Sequence, residues 1–347
     1  MVNVEIEYDY IVIGGGMAGI AVVSQLSAIG KEILWIDSDW MGGYLRRVPK
    51  VPSNTTTALF IRFGIECGLD PNGSSIMRLR QFPEDEGCPL EHAHGMLLEA
   101  IQLLKNKVNA HTGIVDQVKY MGETWMVKLQ DREITGKKIV LCNGADPREI
   151  QGGYSLEKAL NGEFPSNIAQ LKVAVIGNSH SGMLIVRNLI EQRVSKLDLY
   201  YKDSAKLCFA RRKYPERNDV FVHDNRGLKG DVAKWCSRFL KQLESEEGEE
   251  QIEETKYRCR KAKSGLESKD NYDLIVAAIG FGRKPLKVFV EGKEIELPSV
   301  GGLMDPRGLY GFGIAYPESV YDDEAREYER AVGLWKCMKF VKSIPFT

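Results

Sequence analysis

A chain of 347 residues is long enough for two domains that each bury a core of their own. Its 47 Lys and Arg nearly cancel its 48 Asp and Glu, so no global field recruits nucleic acid or an anionic membrane surface, and neither partner is expected. The longest apolar stretch, around residues 11–23, is broken by glycines and too short to span a bilayer. The acidic start lacks a signal or transit pattern. The seven cysteines contain no Cys-x-x-Cys, which suits a reducing compartment and argues against a zinc site. A cytoplasmic enzyme with no metal is the expectation.

In chain order, the β-branched and aromatic run Tyr10-Ile11-Val12-Ile13 breaks into Gly14-Gly15-Gly16-Met17-Ala18-Gly19 and resumes as a small-residue helix. Gly14, Gly16 and Gly19 fit G-x-G-x-x-G: a tight turn, close backbone approach to a pyrophosphate, and close packing of helix on strand. The helix N-terminus then offers free N–H groups and a positive dipole end. A second strand, Glu32 to Ile36, ends in Asp37 at about the twenty-residue offset where a carboxylate accepts from ribose hydroxyls. Together these predict a dinucleotide site.

Ser38 to Arg47 is glycine-rich and placed where a loop passes a bound cofactor. Pro49 and Pro52 keep the next segment extended, and Ser53 or Asn54 is placed to cap a helix from Thr56 to Phe63. Residues 66–90 read as irregular, and the apolar spacing from Leu90 to Val108 as a helix. His92 and His94, two apart before that helix, read as solvated polar residues rather than a metal pair. The period then changes to two: Ile114 to Tyr120, Thr124 to Leu129 and Lys138 to Cys142 make successive strands, a β-meander that returns to the parent sheet and closes on the turn Asn143-Gly144-Ala145. Cys142 reads as a buried small hydrophobe.

The opening pattern repeats. Leu171 to Ile176 leads into Gly177-Asn178-Ser179-His180-Ser181-Gly182, an apolar-periodic helix and a strand, Lys196 to Tyr201. Ser179 replaces the middle glycine. No carboxylate ends the second strand; Tyr201-Lys202 stands there, and the positive charge of Arg211 and Arg212 that follows suits a 2′-phosphate, hence NADP over NAD. The acidic run Glu244 to Glu254 reads as a solvated helix end, beside the basic run Lys256 to Lys263. Tyr272 to Ile279 is a strand into the turn at Gly280, mirroring the turn at Asn143, and Arg307 to Tyr316 is a short strand of the first sheet followed by a helix from about Asp322 to Val341.

Two nucleotide loops, each paired with a later strand ending in a glycine turn, and a closing Leu309-Tyr310-Gly311-Phe312-Gly313 segment resemble the two-dinucleotide-binding-domain flavoproteins over nearly the whole chain. The resemblance implies an α/β fold of two Rossmann-like three-layer nucleotide-binding domains, the second inserted in the first, with a β-meander. It places FAD on 1–165 plus 286–347 and NAD(P)H on 166–285. By the same resemblance Gly14, Gly16, Gly19 and Asp37 contact FAD, and Gly177, Ser179 and Gly182 the pyridine nucleotide, expected to be NADPH before NADH. Further cofactor contacts are expected at Met17, Ala18, Ser38, Gly43, Tyr44, Leu45, Val115, Asn143, Gly144, Asn178, His180, Ser181, Arg211, Arg212, Gly280, Gly313 and Ile314.

Disulfide reductases of this superfamily need a vicinal cysteine pair and carry an Asp where this chain has Ile314. The flavin-containing and N-hydroxylating monooxygenases need neither. Their loop after the second strand is similar to Gly42-Gly43-Tyr44-Leu45, and Val51-Pro52-Ser53-Asn54-Thr55 resembles their Asn-Thr segment, which makes Asn54 the candidate catalytic residue. Their Phe-x-Gly-x-x-x-His run is absent from 151–170. The resemblance thus implies a flavin monooxygenase acting through a flavin hydroperoxide on a small molecule, with O2 as co-substrate. An NAD(P)H-dependent reductase of a quinone, disulfide or imine and a redox-silent nucleotide-binding scaffold stay open, as does the oligomeric state.

Overall fold

The computed structural model describes residues 8–129, 132–202, 207, 209, 227–239, 249–252, 255–261, 271–322 and 326–347. β1 (Tyr8–Ile13) enters the glycine turn, and α1 (Met17–Ala28) follows with Ala18, Gly19 and Ala21 buried, small enough to let it lie close on the strand. β2 (Ile33–Asp37) returns parallel to β1, Tyr10 opposite Ile33 and Ile13 opposite Ile36. The chain then leaves the sheet through a 3₁₀ turn at Gly43–Arg47 and three helices: α2 (Thr57–Glu66), α3 (Ser74–Leu79) and α4 (Leu90–Lys105). It rejoins the sheet as the edge strand β3 (Asn109–Thr112), parallel to β2.

The meander follows as β4 (Gln117–Tyr120), β5 (Trp125–Leu129) and β6 (Arg132–Leu141), antiparallel in succession. Trp125, Val127 and Leu129 are buried at a spacing of two. β6 returns parallel to β1.

β7 (Ala145–Pro147) and α5 (Leu156–Leu160) carry the chain into a second unit. There β8 (Lys172–Ile176), α6 (His180–Glu191) and β9 (Lys196–Tyr201) repeat the opening βαβ. α7 (Gly230–Phe239), β10 (Glu249–Ile252), β11 (Thr255–Lys261) and β12 (Leu274–Ala277) complete a sheet in the order β10-β11-β9-β8-β12. β13 (Phe281–Arg283) then pairs antiparallel with β7, so the outgoing and returning chains form a short ladder between the two sheets.

β14 (Lys287–Val290) and β15 (Lys293–Glu294) add to the meander edge. β16 (Gly302–Asp305) and β17 (Leu309–Gly311) join the first sheet, β17 lying parallel to β6 as the sequence suggests. A hairpin, β18 (Glu318–Asp322) and β19 (Glu327–Ala331), precedes the closing α8 (Leu334–Ser343).

The core of the first unit divides into two layers by strand periodicity. Tyr10 and Val12 face a cluster with Leu26, Phe63, Leu97 and Met338 of the helices, while Ile11 and Ile13 face Trp125, Val127 and Tyr316 on the meander side. A third cluster, with Val175, Ile185 and Leu199, fills the second unit. This is the α/β fold expected. No helix among the described residues is long and apolar enough to cross a membrane.

Several local expectations are corrected. The helix expected from Asp322 begins only at Leu334, because the hairpin β18–β19 pairs Tyr321 with Tyr328, rings 5.1 Å apart, before the chain turns at Gly333 with φ 120°. Within the acidic run, Glu249–Ile252 is an edge strand and not a helix end. Its backbone register sets Glu249 opposite Arg258 and Glu250 opposite Tyr257; residues 244–248 lie outside the described residues. α2 has Thr56 at its N-cap, with neither Ser53 nor Asn54 capping it. Residues 66–90 contain α3, and α4 starts early enough to include His92 and His94.

On the second sheet the carboxylate of Asp198, 1% exposed, accepts from Arg258 Nε at 2.9 Å and Nη2 at 3.3 Å and from the Tyr272 hydroxyl at 2.5 Å. Arg260 Nε stands 3.4 Å away. Removing the carboxylate takes the shared acceptor out of a partly buried network, so Asp198→Ala is expected to lower unfolding free energy by about 1–3 kcal/mol. Denaturant titration checks this, and a loss below about 1 kcal/mol would show that water replaces the carboxylate.

Candidate functional site

The first loop is shaped by backbone contacts. Gly14 has φ 116° and backs onto the Cys142 carbonyl, and Gly19 seats directly on the Gly14 carbonyl; a Cβ at either position would overlap that oxygen. The same Gly14 oxygen accepts from Trp35 Nε1 at 2.9 Å. Gly16, extended at the N-cap of α1, receives no side-chain cap, and the first turn holds no acidic residue. The N–H groups of Met17, Ala18 and Gly19 therefore face an uncapped, positive helix end suited to an anion. Across from it runs Gly43, whose Cα would lie 3.7 Å from a Cβ at Gly16, so the two backbones form a narrow cradle that side chains would fill.

Asp37 stands at the carboxyl end of β2 and is already fixed. Its Oδ2 accepts from Gly15 N at 2.6 Å and its Oδ1 from Asp39 N at 3.1 Å and Trp40 N at 2.7 Å. An ionised carboxylate offers about four acceptor sites, so a ribose hydroxyl can still be accommodated. Ser38 is exposed beside it.

The floor of the site comes from three turns. Tyr44 and Leu45 lie in the 3₁₀ turn after Gly43; the Tyr44 ring meets Phe281 edge-on at 5.1 Å, and its hydroxyl is buried with no hydrogen-bond partner. Asn143 donates from Nδ2 to the Lys284 carbonyl at 3.1 Å, while its Oδ1 is buried and unpaired. Gly144 has φ 73° and accepts from Lys284 N. Gly313, φ 84°, abuts α1 so closely that a Cβ would lie 2.8 Å from the Ala18 Cβ. Ile314 is exposed beside it, and Val115 is buried in the meander-side cluster.

Arg283, which the sequence did not single out, joins β13 to the 297–298 segment and to the turn after Gly313. It donates to the carbonyls of Ala315 at 3.2 Å, Leu297 at 3.4 Å and Pro298 at 2.6 Å, and lies over the Tyr316 ring at 4.2 Å.

The second loop repeats the construction. Gly177, φ 107°, backs onto the Ala278 carbonyl, and Gly182 seats on the Gly177 carbonyl. Ser179 occupies the N-cap of α6 in an extended conformation with no side-chain cap, and again no acid stands in the first turn. Asn178 belongs to the same loop and Ser181 to the first turn of α6, and Gly280, φ 87°, turns beside it. The ring of His180 is largely buried, with Nδ1 unpaired; burial and the positive charges of Lys229 and Arg187 push it down to about 4, so it is neutral at physiological pH. Arg211 and Arg212 lie outside the described residues.

Asn54 is exposed. Its segment is pinned by Ser53, which donates its N–H to the Cys88 carbonyl at 2.9 Å and its hydroxyl to the Thr55 carbonyl at 2.5 Å. A Cβ at Gly230, the first residue of α7, would stand 3.6 Å from the Ser53 carbonyl, and Lys234 pairs with Glu86 at 2.8 Å. Asn54 therefore lies on the seam between the two units. Cys67, Cys88, Cys142, Cys236, Cys259 and Cys337 are all buried and free, and burial raises each thiol above its ordinary value. Among the described residues no group of three His, Cys, Asp or Glu gathers to hold a metal.

His94 departs from the solvated reading. It bonds to the Met41 carbonyl at 2.9 Å, whereas His92 packs on Phe82 with ring centres 4.7 Å apart. Nothing in the sequence spacing marks either contact.

No protein-family model matches the chain. It is 31% identical over 388 aligned positions to the monooxygenase AgnR1 of Paecilomyces divaricatus, covering 96% of both chains. It is 26% identical over 193 positions to a glutathione reductase of Yarrowia lipolytica, covering 51% of this chain and 40% of that one. Among solved structures, the OTEMO complex with FAD and NADP superposes with a TM-score of 0.59 at 14% identity, over 89% of this chain and 79% of that one. Thioredoxin reductase of Lactococcus lactis superposes with a TM-score of 0.53 at 12% identity, over 96% and 95%. These last two are likenesses of fold.

The depressed value of His180 has a thermodynamic consequence. Between about pH 6.5 and about pH 4 the unfolded chain binds a proton that the folded chain refuses, so stability present above pH 6.5 is lost as pH falls through that window. In the cofactor-free protein, His180→Gln is expected to flatten this part of the pH–stability curve. Denaturant midpoints at pH 7.0, 6.0 and 5.0 check it, and an unchanged slope would show that His180 titrates normally.

Proposed function

The chain belongs to the two-dinucleotide-binding-domain flavoproteins, in the branch of the monooxygenase AgnR1, and on that premise we propose that it is an FAD-dependent monooxygenase that takes electrons from NADPH and oxygenates a small-molecule substrate with O2. The observation that carries the reading is the pairing of two equally built phosphate loops with a set of described cysteines that are all buried and unbridged. Two nucleotides can be held, and no described thiol stands ready to receive electrons, so they go to a diffusible acceptor.

In this reading 1–165 plus 286–347 hold FAD and 166–285 hold NADPH. The α1 N-terminus and Gly16 take the diphosphate of FAD. Asp37 takes the ribose, and the unpaired Asn143 Oδ1 accepts from the cofactor at the seam. The α6 N-terminus takes the diphosphate of NADPH, and Arg211 and Arg212 its 2′-phosphate. Bound flavin supplies a carrier that accepts hydride and passes two electrons to oxygen. The chain's own contribution is to bring the two nucleotides to one seam, exclude water there, and present Asn54 as a neutral donor. We read the protein as cytoplasmic.

Asp37→Ala removes a charged acceptor for a ribose hydroxyl, a loss of about 1.5–3 kcal/mol. FAD affinity is expected to fall by roughly one to two powers of ten, read by flavin fluorescence on reconstitution. A protein that cannot be reconstituted with FAD would end the whole reading.

Asn54→Asp tests the chemistry. Aspartate is nearly isosteric but loses the amide donor and adds a negative charge where negative charge develops, a loss of about 3–4 kcal/mol of stabilisation in the oxygenating step. NADPH oxidation is expected to continue within about twofold, while product falls and hydrogen peroxide rises in its place. Normal coupling in the variant would remove Asn54 from the mechanism.

A further inference from the structure

We infer that His94 is a positioning residue for the flavin diphosphate, acting through the loop that carries Gly43; the inference rests on reading the first loop as the FAD site. His94 sits on α4, away from both phosphate loops in sequence. It bonds to the Met41 carbonyl at 2.9 Å, and since a carbonyl only accepts, the ring donates from Nε2.

The loop it holds is costly to form. Trp40 is left-handed at φ 56°, and Gly42 and Gly43 follow at φ 68° and 79°. A non-glycine residue in that region is strained and persists only where its surroundings over-determine it. Those surroundings are visible. The Trp40 N–H donates to Asp37 Oδ1 at 2.7 Å, and its indole N–H to Thr112 Oγ1 at 2.8 Å.

These bonds fix Trp40, and the Met41 N–H donates to Asp39 Oδ1 at 3.0 Å, with Asp39 paired to Arg46 at 2.7 Å. The Met41 carbonyl is held by His94, and the ring of His94 walls off Gly42: a Cβ there would stand 3.3 Å from His94 Cδ2. The next residue is Gly43, where a Cβ would lie 3.2 Å from the Cα of Gly16. The His94 bond and ring face, with Leu97, whose Cβ would stand 3.5 Å from a Cβ at Gly42, therefore back the loop on the side away from α1 and bear on the gap between Gly43 and the uncapped end of α1. A loop that drifts outward loses the cradle without disturbing the core beneath it.

The test compares His94→Leu, which fills space without donating, with His94→Gln, whose amide can donate where Nε2 did. His94→Asn serves as a shorter, polar variant whose amide falls short of Met41. FAD dissociation constants are read by fluorescence on apoprotein, with NADP⁺ affinity and apoprotein melting temperature as controls. Losing one hydrogen bond that orders the loop is expected to weaken FAD about fivefold to tenfold in His94→Leu and His94→Asn. NADP⁺ affinity should stay within about twofold, and His94→Gln should recover most of the loss. FAD affinity within twofold of wild type in His94→Asn, or equal weakening in His94→Gln and His94→Leu, would overturn the inference while leaving the FAD site standing. Wild-type protein that binds no FAD would overturn both.

Discussion

Everything in this molecule depends on how closely a helix can lie on the strand before it. At the first loop the distance is set by the Gly14 carbonyl, against which Gly19 rests with no side chain between, and at the second by the Gly177 carbonyl under Gly182. Any Cβ at Gly19 or Gly182 would lift the helix, and with it the uncapped N–H groups at its start. The constraint reaches further than the loops. The Gly14 oxygen is also the acceptor for Trp35, so the position of α1 and the packing of β2 are one adjustment, and Asp37 at the end of β2 inherits it. A loop, a helix end and a carboxylate are thereby placed together by one close contact.

The two units meet on apolar surface more than on charge. Arg47 reaches Glu157 at 3.1 Å and Asp146 at 3.5 Å, but all three side chains are partly exposed, and such pairs contribute about 0–1 kcal/mol each. Val48 and Val51, from the segment after the Gly43 turn, are buried in the same cluster as Leu160, Val173 and Leu228 of the second unit. Each fully buried valine contributes roughly 1.5–3 kcal/mol relative to exposure. The extended segment that Pro49 and Pro52 enforce thus reaches into the second unit's core, and its continuation carries Asn54 to the seam.

Much of this was legible in the sequence because glycine and strand periodicity are strong signals. Gly14, Gly16 and Gly19, the repeat at Gly177, and the change of period at the meander each carry a steric or pleat requirement that few alternatives satisfy. What stayed hidden depends on partners far apart in the chain. Arg283 drew no notice in the sequence, because its three carbonyl acceptors lie on 297–315. His94 looked solvated because its acceptor, Met41, belongs to a loop with no period at all. Helical length was overestimated after Asp322 because charged residues there fit an exposed helix as well as a two-stranded ribbon, and only the pairing of Tyr321 with Tyr328 decides between them.

The buried polar atoms that remain unpaired bear on how nucleotides at the proposed sites would affect the stability of the fold. Asn143 Oδ1 and the Tyr44 hydroxyl lie at turns lining the first site, and His180 Nδ1 opens the helix of the second. A buried polar group without a partner costs about 1–3 kcal/mol, a sum that is substantial against a net folding free energy of about 5–15 kcal/mol. A fold that carries such groups is stabilised by any ligand that satisfies them, because binding to the folded chain alone draws the equilibrium toward it. On the proposed reading, the uncapped helix ends and these unpaired polar atoms are what a bound dinucleotide would satisfy, which would couple the stability of the fold to occupancy of the two sites.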